Sequence, residues 1–324
     1  MLAFFADYGL FVAKLATLVA IVLAVASLLI ASTKRGMHPD GLLVEHLNRR
    51  FEDLGDAVRR AVHGKEKFKR QNKERRKEIK QLAKKGSQRK RIYVLDFKGD
   101  IRASATASLR EEISAVLAVA TEEDEVLVRL ENAGGAVHEH GLAASQLLRV
   151  VRRGIPLTVS VDKVAASGGY LMACVANRIV AAPFAIIGSV GVIAQLPNFH
   201  RWLDEKGVDF EQVTAGRFKR TLTVFGKNTE EGREKLREEL EEVHELFKVQ
   251  IAEHRPEVDL EQVATGEHWY GVRALELGLI DELRTSDDFL VDAAEDHDLY
   301  RITFKRRRPL PERLLSGAEG LLSR

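Results

Sequence analysis

Cysteine is the scarcest residue of the sequence, with Cys174 standing alone among 324 residues. A lone thiol excludes an intrachain disulfide, so the fold does not depend on an oxidising compartment. It also excludes a metal site built from clustered cysteines. Cys174 lies in an apolar run, where we expect it to act as a small buried hydrophobe and not as a second nucleophile.

Positive charge is missing from the N-terminus, because residues 1–8 carry no Lys or Arg and include Asp7. They therefore lack the basic start of a cleaved signal peptide. An uncharged run of 19 residues extends from Leu15 to Thr33, directly after Lys14. At about 1.5 Å per residue, a helix of this length nearly spans the apolar part of a bilayer. We expect residues 1–35 to form a retained transmembrane helix that anchors the chain in the lipid bilayer.

The net charge of +2 conceals a basic segment from Arg59 to Arg91, which holds 16 Lys and Arg against three Glu. The rest of the chain is therefore acidic, so we expect no nucleic-acid partner for its folded part. Residues 36–91 are predicted to be a helical and highly basic linker, with one helix over 38–63. Its cations suit anionic lipid headgroups beside the membrane. This charge bias favours a cytoplasmic position for the chain beyond the predicted span.

Apolar runs alternate with helical periodicity from Ile92 onward, which predicts a domain over 92–300 before a basic tail over 301–324. The predicted strands cover 91–97, 125–130, 157–161, 178–182 and 185–194. The predicted helices cover 104–120, 141–153, 198–206, 228–254 and 269–279, with Asn228 as the cap of the fourth. Alternating strands and helices are typical of βαβ units, so we expect an α/β fold with a mainly parallel sheet.

A serine lies on the predicted turn between a buried strand, residues 157–161, and an apolar helix, residues 170–175. The small residues around Ser167 and Gly168 predict a sharp turn, with the serine hydroxyl at the helix N-terminus. That position favours developing negative charge, and glycine lets a peptide backbone approach. The same pattern is also typical of an ordinary strand–turn–helix without chemistry.

A second glycine-rich turn, at Gly134 and Gly135, comes after the preceding predicted strand. Because the carboxyl ends of parallel strands meet at one edge of a sheet, we expect the two turns to lie together. A backbone N–H of either glycine could then pair with one near Ser167 as an oxyanion hole. The serine also needs a general base, which the sequence leaves open between histidine and lysine. The candidates are His138, His140, His200 and Lys219.

The domain, with the predicted span and basic linker before it, resembles the SohB-type inner-membrane peptidases of the signal-peptide-peptidase A family, the S49 serine peptidases. Eight segments carry this resemblance in order along the chain. They are YVLDFKG (93–99), SLREEI (108–113), GLAASQL (141–147), PLTVSVDKVAASGGYLMACVAN (156–177), APFAIIGSVGV (182–192), TAGRFKRTL (214–222), NTEEGREK (228–235) and EQVATGEHWYG (261–271).

The resemblance implies a ClpP/crotonase-like fold and a Ser–Lys dyad, with Ser167 as the nucleophile and Lys219 as its base. A serine that hydrogen-bonds the lysine falls on Ser189. The expected oxyanion donors are Gly134, Gly135 and Gly168, and substrate is expected beside Gly188, Val190 and Gly191. Family members usually read Ser-Pro-Gly-Gly at the first turn, where this chain has Asn132 and Ala133. Loss of the proline removes some rigidity but leaves both glycine N–H groups.

The resemblance further implies acyl transfer on peptide or protein substrates, such as signal peptides or membrane-protein fragments, without a metal or organic cofactor. It implies a single-pass protein of the bacterial inner membrane, assembled into a homo-oligomeric ring whose protomers can share active sites. Relatives act on the outer side of the membrane, whereas the charge bias favours the cytoplasm, so the side stays open. The alternatives are an inactive membrane scaffold of the same fold and a crotonase-type acyl-CoA enzyme.

Overall fold

The computed structural model of the protein describes residues 14, 15, 17, 19, 41–84 and 89–305. Most of the predicted span over 15–33 and nearly all of the basic tail lie outside these residues. No helix within the described ranges has the length and hydropathy needed to cross a membrane.

The chain forms two compact units, residues 44–303 and residues 1–43 with 304–324. In the second unit, the N–H of Lys305 donates to the carbonyl of Gly41 at 2.9 Å. The first unit holds nearly all of the described strands and helices.

Ten strands form two sheets in the described part of the chain. They are β1 (Leu42–His46), β2 (Arg91–Lys98), β3 (Glu125–Glu131), β4 (Leu157–Val161), β5 (Val164–Ala166), β6 (Arg178–Ala181), β7 (Ile186–Gly188), β8 (His268–Tyr270), β9 (Glu282–Leu283) and β10 (Asp298–Phe304). The larger sheet has the order β1-β10-β2-β3-β4-β6-β9, and its pairs from β10 through β9 are parallel. The smaller sheet has the order β5-β7-β8. The prediction of an α/β fold with a mainly parallel sheet is confirmed.

Nine helices accompany these strands in the described residues. They are α1 (Leu47–Lys84), α2 (Thr106–Leu117), α3 (Val137–Val151), α4 (Gly168–Ala173), α5 (His200–Glu205), α6 (Glu230–His254), α7 (Leu260–Val263), α8 (Gly271–Glu276) and α9 (Ser286–Asp296). The first is interrupted at Gly64, which has φ 72° and ψ 165°. The long helix α6 is capped by Thr229, whose Oγ1 accepts the N–H of Gly232 at 3.1 Å, and not by the predicted Asn228.

Residues before Ile92 contribute more to the domain than the sequence pattern predicted. The helix expected over 38–63 begins at Leu47, because Leu42–His46 forms an edge strand instead. Leu47 is buried in a hydrophobic cluster with residues of β2, β3, α9 and β10. The side chain of Asn48 donates to the carbonyls of Ala294 and His297 and accepts the N–H of Leu299. The start of α1 is thus fixed to the core by packing and by hydrogen bonds.

The centre of the larger sheet is buried on both faces. All five residues of β4 are buried, and its neighbour β3 is buried over most of its length. Parallel strands covered by helices on both sides read as continuous apolar runs, as these do. Burial also raises the pKa of the Cys174 thiol to about 12, so it stays protonated at neutral pH. Cys174 therefore serves the core, as its position in the sequence predicted.

Shorter strands and helices replace two of the predicted elements after β6. The strand expected over 185–194 is reduced to Ile186–Gly188, and the helix expected over 269–279 is divided into β8 and α8. Trp269 lies in β8 because this strand pairs antiparallel with β7, opposite Ile187. Both changes build the small sheet, and its strand β5 ends directly before Ser167.

Candidate active site

Ser167 lies between β5 and α4 with φ 51° and ψ −121°. Positive φ is uncommon outside glycine and marks local backbone strain that the surroundings must hold. Here the Ser167 N–H donates to the carbonyl of Gly188 at 2.7 Å, and Ala166 and Gly168 on either side are buried. Ser167 itself is half-buried, so the fold fixes its backbone firmly and leaves its side chain accessible.

The turn at Gly134 packs directly against Ser167. A Cβ on Gly134 would lie 2.7 Å from the Ser167 Cβ and 2.9 Å from the Gly168 nitrogen, and Gly134 has φ 91°. A Cβ on Gly169 would lie 2.1 Å from the carbonyl oxygen of Asn132. All three distances are shorter than real Cβ contacts, so the close approach of the two turns requires glycine at both positions. The two glycine-rich turns therefore lie together, as expected of the carboxyl ends of parallel strands.

The three predicted oxyanion donors differ in their hydrogen bonds. The N–H of Gly134 donates to Asn132 Oδ1 at 2.9 Å and is therefore occupied. Within the described ranges, the N–H groups of Gly135 and Gly168 have no acceptor. Gly135 and Gly168 are thus the donors free to bind an incoming oxygen.

The segment Gly188 to Gly191 runs beside the serine. Gly188 pairs with Ala166 across β5 and β7, and its carbonyl accepts the Ser167 N–H. Ser189 also has positive φ, 52°, and its N–H donates to the Glu267 carbonyl at 2.7 Å. Its hydroxyl lies 3.5 Å from the Gly266 carbonyl, at the limit of a hydrogen bond. Val190 is buried beneath this segment, which leaves the half-buried Ser189 and Gly191 accessible.

A cavity of about 380 Å³ opens beside Ser167. Helices α3, α4 and α6 contribute most of its wall, which is largely apolar. The apolar side chains that line it are Val137, Ala144, Leu148, Leu171, Val192, Val243, Leu246 and Phe247. A pocket of this size and lining suits an apolar side chain better than a charged one.

Lys219 is exposed and lies in an irregular segment between α5 and α6. Its N–H donates to the Gly216 carbonyl at 3.2 Å. In the part of the chain that the structure describes, neither the Lys219 ammonium nor the Ser167 hydroxyl makes a hydrogen bond or ion pair with another residue. One chain therefore does not join the two predicted dyad residues by a hydrogen bond.

The three candidate histidines also make no hydrogen bond to the serine. His138 is exposed and lines the cavity, 3.8 Å from Glu139. His200 is half-buried at the start of α5. His140 is fully buried, and its ring nitrogens face Ala136 and Asn132. Its network with Asn132 was not predicted, because the turn between β3 and α3 decides which side chains meet, and the sequence pattern does not show that geometry.

Metal-binding side chains are not gathered at this site. Across residues 41–84 and 89–305, no group of three or more His, Cys, Asp or Glu side chains is placed to hold a metal ion.

Comparison with known proteins gives a consistent result along the whole chain. Residues 3–147 match the family Peptidase family S49 N-terminal, and residues 149–300 match Peptidase family S49. A Haemophilus influenzae protein described as Probable protease SohB is 46% identical over 325 residues, covering 96% of this chain and 92% of the relative. A protein of the same description from Buchnera aphidicola subsp. Acyrthosiphon pisum is 54% identical over 235 residues, covering 72% of this chain and 70% of the relative.

Solved structures of low identity also align with the chain. One is a lysine-to-alanine mutant of the 1510-N membrane-bound stomatin-specific protease in complex with a substrate peptide. It aligns with a TM-score of 0.45 and 14% identity, covering 71% of this chain and 98% of that chain.

Proposed function

Since the chain belongs to peptidase family S49 and is a serine peptidase, we propose that it is a membrane-anchored endopeptidase that uses a Ser–Lys dyad. The observation that carries the proposal is the position of Ser167. It lies on a strained turn, against a second glycine turn with a free amide and beside an apolar cavity. This combination supplies a nucleophile, an oxyanion hole and a binding pocket in one place.

Ser167 is the nucleophile of this reaction. Its Oγ forms a bond to the carbonyl carbon of the substrate while its proton passes to the base. The carbonyl oxygen becomes an oxyanion, which the N–H groups of Gly135 and Gly168 stabilise. Loss of one such donor costs about 3–4 kcal/mol of transition-state stabilisation in other enzymes.

Lys219 is the base and then the acid. In its neutral form it takes the Ser167 proton, gives a proton to the leaving amine, and then activates water to hydrolyse the acyl-enzyme. Ser189, whose hydroxyl is only weakly engaged by Gly266, orients the lysine. The proposed fold is the ClpP/crotonase-like fold of the family, and the proposed reaction uses no metal or organic cofactor.

The base reaches the serine through assembly into a homo-oligomeric ring. The Lys219 ammonium has no partner within the described part of its own chain, and large apolar side chains between residues 193 and 225 are exposed. These include Ile193, Trp202, Val213, Phe218 and Phe225. Clustered exposed apolar residues mark interaction surfaces, and a neighbouring copy of the chain would cover this one.

Substrates are peptides that bind in an extended conformation beside Gly188, Val190 and Gly191, with an apolar side chain in the cavity. Signal peptides and membrane-protein fragments have this apolar character. The proposed location is the bacterial inner membrane, as a single-pass protein held by residues 1–35. Basic residues of the linker over 36–91 then face anionic lipid headgroups.

Covalent labelling with a fluorophosphonate probe tests the proposal in the full-length protein. Ser167→Ala should abolish both labelling and peptide hydrolysis, because the substitution removes the reacting oxygen. The control is Ser114→Ala, which changes an exposed serine on α2 that bonds only within the α2–α3 surface. Labelling that persists in Ser167→Ala would refute the nucleophile. An unlabelled parent protein would favour the scaffold, or an acyl-CoA enzyme if it binds acyl-CoA.

A further inference from the structure

Two polar residues are buried next to the glycine turns without a role in the dyad. Asn132 comes directly after the last residue of β3 and is 1% exposed, and His140 lies on the first turn of α3 and is 0% exposed. Buried polar groups are costly unless they are hydrogen-bonded, so their partners indicate what they hold in place.

Asn132 joins the oxyanion turn to the strand that carries the nucleophile. Its Oδ1 accepts the N–H of Gly134 at 2.9 Å, and its Nδ2 lies 3.3 Å from the Met172 sulfur. Its backbone N–H donates to the Val164 carbonyl at 2.9 Å, and its carbonyl accepts the Ala166 N–H at 3.0 Å. Because a backbone N–H can only donate, the Gly134 contact fixes which side-chain atom of Asn132 faces the turn.

His140 contacts both turns at once. Its Nε2 lies 3.2 Å from Asn132 Oδ1, and its Nδ1 lies 2.9 Å from the carbonyl of Ala136, the residue after Gly135. Its ring packs against Gly168, where an added Cβ would lie 2.4 Å from the His140 Cγ. The ring therefore occupies the space behind the peptide that carries the Gly168 N–H.

We propose that His140 and Asn132 are positioning residues of the oxyanion hole. Together they hold the turn at Gly134 and Gly135 at a fixed distance from the peptide between Ser167 and Gly168. The free N–H groups of Gly135 and Gly168 then converge on one point. Neither side chain touches the substrate, and the inference rests on the proposed peptidase function.

The physical reason is preorganisation of the donors. Oxyanion donors lower the barrier only if they are already aimed at the position that the charged oxygen will occupy. Misplacement of such groups by about 1 Å costs roughly 100-fold in rate. A purely structural histidine would instead lower stability and leave the turnover of the folded enzyme unchanged.

The test substitutes His140→Phe in the full-length protein, which keeps a ring against Gly168 and removes the two ring nitrogens, and with them the ring's hydrogen bonding to Ala136 or Asn132. We expect kcat to fall by about 10- to 100-fold with KM changed by less than about threefold. The affinity of a peptide boronate, which forms a charged tetrahedral adduct with the serine, should fall by a similar factor. His140→Gln, which keeps an amide donor, should recover part of this loss.

The control is His297→Phe, a matched change at a histidine whose buried Nδ1 has no partner among the described residues, far along the chain from the turns. It should leave kcat within twofold of the parent. Hydrogen exchange at the Gly134 amide gives a readout that does not need catalysis. We expect it to accelerate in His140→Phe, even if the melting temperature is little changed.

Each outcome decides the inference. An active parent together with an unchanged kcat in His140→Phe overturns the positioning role and leaves the peptidase function standing. Faster hydrogen exchange at the Gly134 amide of His140→Phe, without a loss of kcat, also overturns the positioning role. Loss of kcat with unchanged boronate affinity also overturns it. A parent that neither hydrolyses peptides nor reacts at Ser167 refutes the proposed function, and the positioning role falls with it.

Discussion

The surroundings of Ser167 and of Lys219 differ in almost every physical respect. The serine comes after a buried strand, and the residues on both sides of it are buried, whereas every residue from 204 to 220 is exposed. The core of the chain itself holds the serine in a strained conformation. The lysine lies in a segment that has no such core among the described residues. If the proposed dyad is correct, the serine side is therefore built within one chain, and the lysine side is the part that we propose a neighbouring chain completes.

The lysine segment, the irregular stretch between α5 and α6 that carries Lys219, is nevertheless held by hydrogen bonds where it returns towards the start of α5. The Asn198 side chain donates to the carbonyls of Thr223 and Gly226, and the Phe199 N–H donates to the Val224 carbonyl. Aromatic rings of the segment also contact one another, as Phe199 and Phe210 each do with Phe225. Exposure is greatest in the far part, where Val213 is 97% exposed, whereas Phe199, Phe210 and Phe225 are 42–46% exposed. A closed base with an apolar, exposed end suits a segment that extends onto another subunit.

The largest expected effect is the recovery of peptide hydrolysis when two inactive variants are mixed. Ser167→Ala and Lys219→Ala should each be inactive alone. If neighbours share sites, random mixing in equal amounts restores up to about a quarter of the sites, because each needs one intact serine and one intact lysine. Hydrolysis after subunit exchange is the measurement.

The control for mixing pairs Ser167→Ala with a double variant that lacks both residues, and it should stay inactive. Lys219→Arg should behave as Lys219→Ala does, because arginine keeps its charge but does not release its proton. If exchange is verified and no activity returns, serine and lysine act within one chain. An active monomer would contradict the ring.

A matched pair of glycine substitutions compares the packing around Ser167 with that of the lysine segment by its effect on the free energy of unfolding. Gly134 has φ 91° and Gly216 has φ 95°, but an added Cβ meets Ser167 at 2.7 Å in the first case and nothing within 4 Å in the second. Both alanine variants bear about 1–2 kcal/mol for the positive φ. Gly134→Ala adds about 1–3 kcal/mol of steric conflict. Urea unfolding should therefore show a clearly larger loss for Gly134→Ala, and equal losses would contradict the contrast in packing.

The surroundings of Ser167 could be predicted from the sequence, because the patterns that indicate them are local or follow from parallel-sheet topology. An apolar run, a small-residue turn and the rule that strand ends meet at one edge are enough to bring Gly134 beside Ser167. The assignment of Lys219 came only from the family resemblance, since an exposed segment has no apolar periodicity. Its role stays a prediction until activity is measured.

Other elements escaped prediction because tertiary contacts decide them. Strand β1 contains the charged Glu45 and gains its place by pairing at the edge of the sheet. The network of Asn132 and His140 depends on the turn that joins β3 to α3 and on contacts of Asn132 with Val164, Ala166 and Met172, which meet it only in the folded chain. The cap of α6 shifted by one residue, to Thr229, because Asn228 instead accepts the N–H of Thr223. Neighbouring polar residues compete for such roles, and the sequence does not rank them.

The smallest expected change is a difference in the free energy of unfolding between variants of two ion pairs. Arg255 is 10% exposed and pairs with Asp281 at 2.7 Å, whereas Arg217 is 75% exposed and pairs with Glu231 at 2.5 Å. Arg255→Met should lower the free energy of unfolding by about 1–2 kcal/mol at neutral pH, because it removes a largely buried guanidinium that donates two hydrogen bonds to the Asp281 carboxylate. Arg217→Met should lower it by less than about 0.5 kcal/mol, since solvent screens the exposed pair.

The stability difference between the parent and Arg255→Met should also depend on pH, in a direction that follows from the pKa of Asp281. Burial opposes ionisation of Asp281, but the hydrogen bonds from Arg255 and from the Ile179 N–H outweigh it and lower its pKa. A lowered pKa in the folded state contributes stability above the ordinary Asp value of about 3.9, and this contribution is lost as the pH falls through the folded-state pKa. The difference between the parent and Arg255→Met should therefore shrink below about pH 4. The difference for Arg217→Met should stay small throughout, and a large loss there at neutral pH would show that the lysine segment is packed within a single chain after all.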